Sequence, residues 1–541
     1  MAEPFAADMP DDLLSAFQTY EAAVVANDLD QLDAAFAPGS DTLRGDGAGL
    51  LVGHETISAF RGGRGGINSR AIERVEYRRL GNDAALLVSV SRFASGGTGL
   101  QTQLWQRIGD RWLISAAHVT PRQQAFDRSV WRTVGDPLRS GAPSGPLAGL
   151  TVAVKDVFAL AGDRIGAGNP TYLAAAPVEP ATAPAVAVLL EAGAALRGIA
   201  RTDEFAYSIA GENTHYGTPP NGAVPGALPG GSSSGPATAV ALGQADVGLA
   251  TDTAGSIRVP ASYQGLWGLR TTHDRVSRDG LLPLAPSFDT VGWITRDGAT
   301  IQKVAAVGLT PDPATDAVRM PVRLVVPDEL VAEADPATRA VFEALLVLVA
   351  AHIDVSTTSI GVLDAYAAPF RTVQSAEAWR SNGAWLRAHR DAIGPNVAER
   401  FRAAADVTAT EEGAARAALI PLRDRLRDLA SERVLIAPTV PGPAPARGRS
   451  DPAIPDVRAR TLRMTTPAAV AGLPTVSVPL LTVSSALGPA PVGVSLIGPA
   501  GSDIALVALA CQLADAVATA APCVSPPPAV YCSPVPPQEN P

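Results

Sequence analysis

One stretch, residues 229–260, limits what this chain can fold into more than any other. It reads PGGSSSGPATAVALGQADVGLATDTAGSIRVP. Two clusters of small polar residues, 230–235 and 253–256, have a spacing that neither a helix period nor a strand period explains. Between them, the apolar run 237–249 predicts a buried helix that leads into a short strand. Small residues on both sides of a buried element let a ligand approach the backbone closely, as N–H groups aimed at a reacting atom require.

This stretch resembles the signature of the amidase signature family of serine hydrolases. Members carry a GGSSSG-type cluster, a GTDTGGSIRxPA-type segment and an upstream Val-Lys-Asp lysine, and this chain has all three in order. Lys155 lies 77 residues before Ser232, and Ser256 lies 24 residues after it. The resemblance covers roughly residues 130–520. It implies an α/β fold of the amidase signature type, with a mixed, mainly parallel central sheet covered by helices.

The resemblance also implies roles for three residues. In the family, the serine at the position of Ser256 attacks the amide carbonyl, the serine at Ser232 relays the proton, and the lysine at Lys155 is the base. A lysine is a base only when burial lowers its pKa, and an inward-facing Asp156 would oppose that shift. Lys155 and Lys303 are the only lysines in the chain, whereas arginine, which stays protonated, is used elsewhere. The use of lysine and not arginine at position 155 favours the interpretation of Lys155 as a catalytic base.

The segment around Ser256 supplies further candidates. The resemblance implies an oxyanion hole formed by the backbone N–H groups of Thr253, Ala254, Gly255 and Ser256. Many family members have glycine in place of Ala254, and alanine fits only with a negative φ. Asp252 is predicted to accept hydrogen bonds from neighbouring backbone N–H groups. Arg258 has two interpretations, which are the binding of a substrate carboxylate and a structural ion pair. Tyr207 is predicted to line the acyl pocket.

The first 125 residues follow a different pattern. Residues 11–36 predict two amphipathic helices separated at Asn27, and residues 75–120 alternate as antiparallel strands do. Alternate residues from Trp112 to His118 are expected on one face of the last strand, and His118 is given no chemistry. This segment resembles the SnoaL-like α+β cone domains, in particular the small domain found beside amidases of urea-derivative breakdown. Because such cones serve as dimerisation or binding modules, the resemblance implies a homodimer.

The predicted domain organisation has three parts. An α+β cone domain spans residues 8–125, an amidase signature catalytic domain spans 130–525, and a Pro-rich tail spans 526–541. The turn formers between residues 123 and 147 predict a connection between the domains, with the boundary near residue 128. In the more helical part of the second domain, a helix over 411–431 is expected to break at Pro421.

Composition excludes several classes of function. A net charge of −10 without a basic patch argues against a nucleic-acid partner. The longest apolar run, residues 341–351, is shorter than the roughly 18 residues that a membrane span needs. Three cysteines near one end do not make a disulfide framework, and the acidic start does not resemble a signal peptide, so a cytoplasmic location is expected. The spacings typical of a metal site and of a phosphate loop are absent, so no metal and no cofactor are expected.

Several functional interpretations remain. The first is an amidase that hydrolyses a small-molecule carboxamide to carboxylate and ammonia through an acyl-enzyme. The second is an amidotransferase-type subunit that releases ammonia from glutamine or asparagine for a partner, and the third is a non-catalytic binding protein. Residues 231–235 also match the G-x-S-x-G elbow, with Ser233 as nucleophile, but that interpretation leaves Lys155 without a purpose. Hints to the substrate disagree, because residues 287–293 resemble indole-acetamide hydrolases and the cone resembles enzymes of carboxylated biuret breakdown.

Overall fold

Two units make up the chain, Met1–Asp127 and Arg128–Pro541. The computed structural model describes residues 5, 8–46, 49–62, 70–93, 98–120, 127–309, 323–448 and 453–520. The Pro-rich tail predicted for 526–541 lies outside the described residues, as do Cys523 and Cys532. Within the described residues, no helix combines the length and the apolar character that crossing a bilayer demands.

The first unit contains a six-stranded sheet in the order β2-β1-β6-β5-β4-β3 together with helices. The helices are α1 (Asp11–Ala26), α2 (Leu29–Ala34) and α3 (His54–Gly62), and the strands are β1 (Leu43–Asp46), β2 (Gly49–Val52), β3 (Arg70–Arg79), β4 (Ala84–Phe93), β5 (Thr98–Ile108) and β6 (Arg111–Thr120). The predicted helix pair is confirmed, because α1 ends at Asn27, whose φ of 55° is the left-handed conformation that asparagine tolerates. Leu13 and Phe17 of α1 are buried in a core that includes Trp105.

The last strand of this unit does not keep the predicted alternation. Trp112 and Ile114 are buried, but the pairing of β6 with β5 shifts register at Ser115. One extra residue reverses the facing of everything after it, so Ala117 is buried and His118 is exposed. The prediction that His118 shares a face with Trp112 was therefore wrong, because a bulge changes the phase of a strand without changing its composition.

The second unit is built on an eleven-stranded sheet in the order β14-β13-β15-β17-β16-β11-β12-β10-β8-β9-β7. Its strands are β7 (Trp131–Arg139), β8 (Thr151–Lys155), β9 (Ala195–Ala200), β10 (Val247–Asp252), β11 (Trp267–Arg270), β12 (Thr290–Thr295), β13 (Arg323–Pro327), β14 (Asp354–Thr358), β15 (Val434–Pro438), β16 (Thr475–Ser485) and β17 (Gly488–Ile497). Its helices are α4 (Pro170–Ala175), α5 (Pro184–Glu191), α6 (Ser234–Ala241), α7 (Arg258–Tyr263), α8 (Gly298–Gly308), α9 (Asp328–Ala332), α10 (Pro336–Ala350), α11 (Leu363–Ala388), α12 (Pro395–Ala405), α13 (Ala409–Glu432), α14 (Ala453–Ala471) and α15 (Asp503–Ala520).

The α/β class and the mixed sheet are confirmed, but parallel pairing does not predominate. Among the described strands of this sheet, four pairings are parallel and six are antiparallel. Five of the six antiparallel pairs lie next to one another in the middle of the sheet, where β16 and β17 are joined by only two residues, 486 and 487, and the sixth joins β7 to β9 at one edge. Such a short connection can only turn the chain back on itself, whereas a parallel pair needs a long crossover.

Two local predictions in this unit are corrected. The segment predicted as a connection contains a strand, β7, which pairs antiparallel with β9 at one edge of the sheet. Pro421 does not break its helix, since α13 runs continuously through it. Leu419 and Leu426 on either side of this proline are buried, so packing of the helix outweighs the loss of one backbone hydrogen bond.

Pairing within the sheet positions the candidate site. Strands β8 and β10 are parallel neighbours, with Val154 opposite Leu249, so their carboxyl ends lie at the same edge. β8 ends at Lys155, and β10 leads into the turn that carries Ser256. This edge therefore brings together the lysine and the second serine cluster, which are far apart in sequence.

Candidate active site

Lys155 is the centre of a buried hydrogen-bond cluster. Its side chain is fully buried at the end of β8. Its Nζ lies 2.9 Å from Ser232 Oγ and 2.7 Å from Thr251 Oγ1. The three side chains come from separate segments of the chain, so the fold itself assembles the cluster. The amine and the hydroxyl of Ser232 are within direct proton-transfer distance.

The surroundings of Lys155 favour its neutral form. Burial lowers the pKa of Lys155 from 10.5 to about 7, although the carboxylates of Asp203, Asp252 and Asp289 raise it. Asp156 does not face the amine, because its carboxylate pairs with Arg132 at 2.9 Å and accepts from the N–H of Gly166. An amine with a pKa near 7 is neutral in a large fraction of molecules at physiological pH.

Ser232 and Ser256 lie in adjacent segments. The peptide bond between Gly231 and Ser232 is cis. The carbonyl of Ser232 accepts from the N–H of Asp203 at 3.1 Å, which fixes the backbone of the first cluster. The N–H of Ser233 donates to the carbonyl of Ser256 at 3.3 Å, so the backbones of the two clusters are in direct contact. Both serine side chains are buried.

Asp252 holds the turn that carries Ser256. Its carboxylate accepts from the backbone N–H groups of Gly255 at 2.8 Å and Ile257 at 3.1 Å, which confirms its predicted acceptor role. It also pairs with the guanidinium groups of Arg258 at 2.9 Å and Arg270 at 3.0 Å. Although burial raises the pKa of Asp252, the two arginines and these N–H groups hold it well below its usual range. The turn is thus organised around one buried negative charge.

Arg258 is the structural member of this network. Its Nε and Nη2 donate to Asp252, and its Nη1 donates to the carbonyl of Thr465 at 2.9 Å. The side chain is only 2% exposed. A guanidinium engaged on every nitrogen and buried to this extent does not reach a substrate carboxylate, so the substrate-binding prediction for Arg258 was wrong and the ion-pair interpretation holds.

The backbone N–H groups of the turn divide into two sets. The N–H of Gly255 is taken by Asp252, so we remove it from the predicted oxyanion hole. In the described part of the chain, the N–H groups of Thr253, Ala254 and Ser256 have no protein acceptor. Ala254 does not have a positive φ, so alanine fits this position without strain. Three N–H donors next to the candidate nucleophile are suited to an oxyanion.

Glycine is needed at position 255. Gly255 has a φ of +126°, a conformation that residues with a side chain rarely adopt. A Cβ at this position would lie 3.1 Å from Val259 Cγ2 and from Thr465 Oγ1. Thr465 also donates to the carbonyl of Ala254 at 2.5 Å, so it is not free to move away. The sharp turn before Ser256 therefore depends on the absence of a side chain.

A cavity of about 630 Å³ is lined by neighbours of the two serine clusters and not by residues of the clusters themselves. Ile209 lines it, and the carbonyl of Ile209 accepts from the N–H of Gly231 at 2.9 Å. Val259, three residues after Ser256, lines it as well. Tyr207 is part of the wall, with its hydroxyl 3.1 Å from Ser375 Oγ, so the structure places this residue in a pocket beside the site. This volume suits an organic molecule well above the size of acetamide.

Some residues of the site were missed by sequence reasoning. Thr251 lies on β10, just before the second polar cluster, and its hydroxyl is the one other group bound by Lys155 among the described residues. Asp203 follows β9 and accepts from the hydroxyl of Ser234 at 3.0 Å. The one sequence signal for Asp203 was its location just after a segment predicted as a buried strand. For the described residues, no group of three or more His, Cys, Asp or Glu side chains could hold a metal ion.

Both units of the chain are similar to known proteins. Residues 132–507 match the family model described as Amidase, and residues 6–125 match the one described as AtzH-like. The chain is 36% identical to Amidase 1 of Arabidopsis thaliana over 72% of this chain and 98% of that relative. It is 31% identical to a glutamyl-tRNA(Gln) amidotransferase subunit from Symbiobacterium thermophilum, over 78% of this chain and 92% of the relative.

A solved structure is also similar to this chain. A crystal structure of an amidase superposes with a TM-score of 0.63 at 29% identity and covers 72% of this chain and 92% of that one. The family model accounts for more than half of the chain, and it includes Lys155, Ser232 and Ser256. The chain belongs to the amidase signature family, with an AtzH-like domain ahead of its amidase domain.

Proposed function

We propose that this protein hydrolyses the carboxamide of a small organic molecule to a carboxylate and ammonia. Ser256 is the nucleophile, Ser232 relays the proton and Lys155 is the base. The observation that carries the proposal is the contact of 2.9 Å between Ser232 Oγ and the Nζ of a fully buried lysine whose pKa is lowered to about 7. A buried amine of this kind suits a base and not a surface ion pair.

In the acylation step, neutral Lys155 accepts the proton of Ser232 while Ser232 accepts the proton of Ser256. The oxygen of Ser256 forms a bond to the amide carbon, and the carbonyl oxygen becomes an oxyanion near the N–H groups of Thr253, Ala254 and Ser256. Collapse of this intermediate breaks the C–N bond, and the relay returns a proton to the leaving nitrogen, which departs as ammonia.

Deacylation uses the same groups in reverse. Water attacks the acyl carbon and gives its proton to the relay formed by Ser232 and Lys155. The bond between the acyl carbon and the oxygen of Ser256 then breaks, and Ser256 regains a proton. The carboxylate product leaves, and the site returns to its starting protonation state.

The proposal is tested by measuring ammonia release from a panel of aliphatic, aryl and carboxylated amides. We expect release by the wild-type protein and a loss of at least about a thousandfold in Ser256→Ala and in Lys155→Ala. Lys303→Ala is the matched control, because it removes the other lysine of the chain, which is exposed. Full activity of Lys155→Ala at neutral pH would refute the proposed base.

A second candidate is an amidotransferase-type subunit, supported by the similarity over 92% of a glutamyl-tRNA(Gln) amidotransferase subunit. In that case glutamine or asparagine would be the source of the ammonia, and activity would depend on a partner protein. Glutaminase activity measured with the purified chain alone and with cell extract separates the two. Hydrolysis of simple amides by the chain alone, without a partner, favours the amidase.

A further inference from the structure

We propose that the substrate carries a negatively charged group, a carboxylate in the simplest case, which binds Arg458 in the cavity beside the serine clusters. This inference rests on the proposed hydrolase function and names its substrate class, which is an amide that bears an anionic group beyond an apolar spacer. The inference is supported by the hydrogen-bond and ion-pair partners, the burial and the charge of the residues that line the cavity.

Arg458 is a cation with no counter-ion in the described part of the chain. It lies on α14 and lines the cavity. In contrast, Arg460 and Arg463 on the same helix form ion pairs with Asp335 at 2.8 Å and Glu333 at 2.7 Å. Among the described residues, Arg458 has no hydrogen-bond acceptor and no ion-pair partner. A partly buried guanidinium normally has an acceptor, so an acceptor from outside the chain is expected.

A second arginine adds to the positive charge. Arg400 of α12 lines the same cavity, and its Nη1 donates to the carbonyl of Tyr207. Burial and the nearby charge of Arg400 together lower the pKa of Arg458 to about 10, although Asp203, Tyr207 and Glu212 raise it. Two cations that destabilise each other in a partly buried cavity are both stabilised by a bound anion.

The acidic residues of the lining do not satisfy this need. Glu212 and Glu399 are exposed, and in the described part of the chain neither is within ion-pair distance of Arg458. Asp203 is the buried carboxylate that raises the pKa values of Arg400, Arg458 and Lys155. Its own acceptors are occupied by the N–H of Gly211 and the hydroxyl of Ser234. One buried charge is thus near both the arginines and the candidate base.

The other walls of the cavity are mostly apolar. Ile209, Leu228, Val259 and Leu462 line it together with the ring of Tyr263. This arrangement fits a molecule with three parts, in which the amide reaches Ser256, a hydrocarbon spacer contacts the walls and an anionic end accepts hydrogen bonds from Arg458. A simple neutral amide leaves the guanidinium unpaired and gains less from binding.

Matched pairs of amides test the proposal. Succinamate, glutaramate and adipamate are compared with butanamide, pentanamide and hexanamide, which have the same chain lengths without the carboxylate. The wild-type protein is expected to favour at least one carboxylated amide by about ten- to a hundredfold in kcat/KM, as a charge-assisted hydrogen bond implies. Equal or lower kcat/KM for every carboxylated amide overturns the proposal.

The variants separate charge recognition from general damage. Arg458→Gln is expected to lose the preference for carboxylated amides, so that the ratio of kcat/KM between each carboxylated amide and its neutral counterpart falls to about one. Arg458→Lys should restore part of the preference. Arg402→Gln is the matched control, because Arg402 lies on α12 with Arg400 but is exposed and does not line the cavity. An Arg458→Gln protein that keeps the full preference overturns the assignment.

A binding measurement keeps this test independent of turnover. The Kd of adipamate for Ser256→Ala is compared with that for the double variant Ser256→Ala/Arg458→Gln by calorimetry, with an expected increase of about tenfold or more. Arg458-dependent binding without hydrolysis of any amide keeps the anion site and refutes the proposed function. Hydrolysis without a carboxylate preference refutes the anion site and keeps the function, and absence of both refutes both.

Discussion

Lys155 sets the pH range in which the site can act. Only the neutral amine accepts a proton from Ser232, and burial lowers the pKa of Lys155 to about 7. Because deprotonation of the amine activates the site, kcat/KM should rise about tenfold per pH unit below that value and level off above it. The profile of kcat/KM between about pH 5 and 9 measures this directly. A flat profile below pH 7 would contradict a lysine base.

Gly255 should tolerate substitution far less than its neighbour. We expect Gly255→Ala to lower kcat by about tenfold or more, because its φ is +126° and a Cβ would meet Val259 and Thr465 at 3.1 Å. Ala254→Gly is the matched control and should stay within about threefold, since Ala254 already has an unstrained φ. Steady-state kinetics on one amide compares the two, and equal losses would contradict this account of the turn.

At the level of the turn and helix α7, the ion pair of Arg258 is predicted to be structural. Arg258→Met leaves the buried Asp252 with Arg270 as its remaining cation among the described residues, and it should lower the free energy of unfolding by about 3 kcal/mol. Urea denaturation measures this change, with Arg402→Met at an exposed position as the control. Any loss of kcat/KM should be the same for neutral and carboxylated amides. A loss confined to carboxylated amides would restore the substrate-binding interpretation.

The elements that the sequence predicted best are those with strong local signals. The two helices predicted over residues 11–36 are present as α1 and α2, because their apolar periodicity is clear in the sequence. The bulge at Ser115 and the edge strand β7 were missed, since both depend on the strand that pairs with them. Pro421 lies inside a helix because its tertiary packing outweighs a local penalty.

The residues of the candidate site also divide into those that a local sequence motif predicts and those that depend on contacts distant in sequence. Lys155, Ser232 and Ser256 could be named from short motifs, and the structure brings Lys155 and Ser232 into contact. Thr251 and Asp203 could not be assigned, because their contacts link residues far apart in sequence through the register of the sheet. The sequence around Arg258 is compatible both with an ion pair to Asp252 and with binding of a substrate carboxylate. Only the geometry separates these two interpretations. Arg458 lies in a helix with no motif.

The two units of the whole chain have separate hydrophobic cores. Trp105 and Phe17 belong to the core of the first unit, whereas the strands of the larger sheet and the helices packed against it form the cores of the second. We therefore expect differential scanning calorimetry of the full chain to show two unfolding transitions. Destabilising Phe17→Ala should lower the Tm of one transition and leave the other within about 1 °C. A single cooperative transition that shifts as a whole would contradict this expectation.

The charge on Asp252 has a consequence for how the protein responds to mild acid. Its pKa is held below the usual range of a carboxylate, so Asp252 stays ionised at the moderately low pH at which Lys155 takes up its proton. Acidification therefore protonates Lys155, which can then no longer act as a base, while the turn that carries Ser256 keeps its conformation. Activity lost at moderately low pH should return in full upon neutralisation, because acid inactivates the base reversibly and leaves the surrounding structure folded.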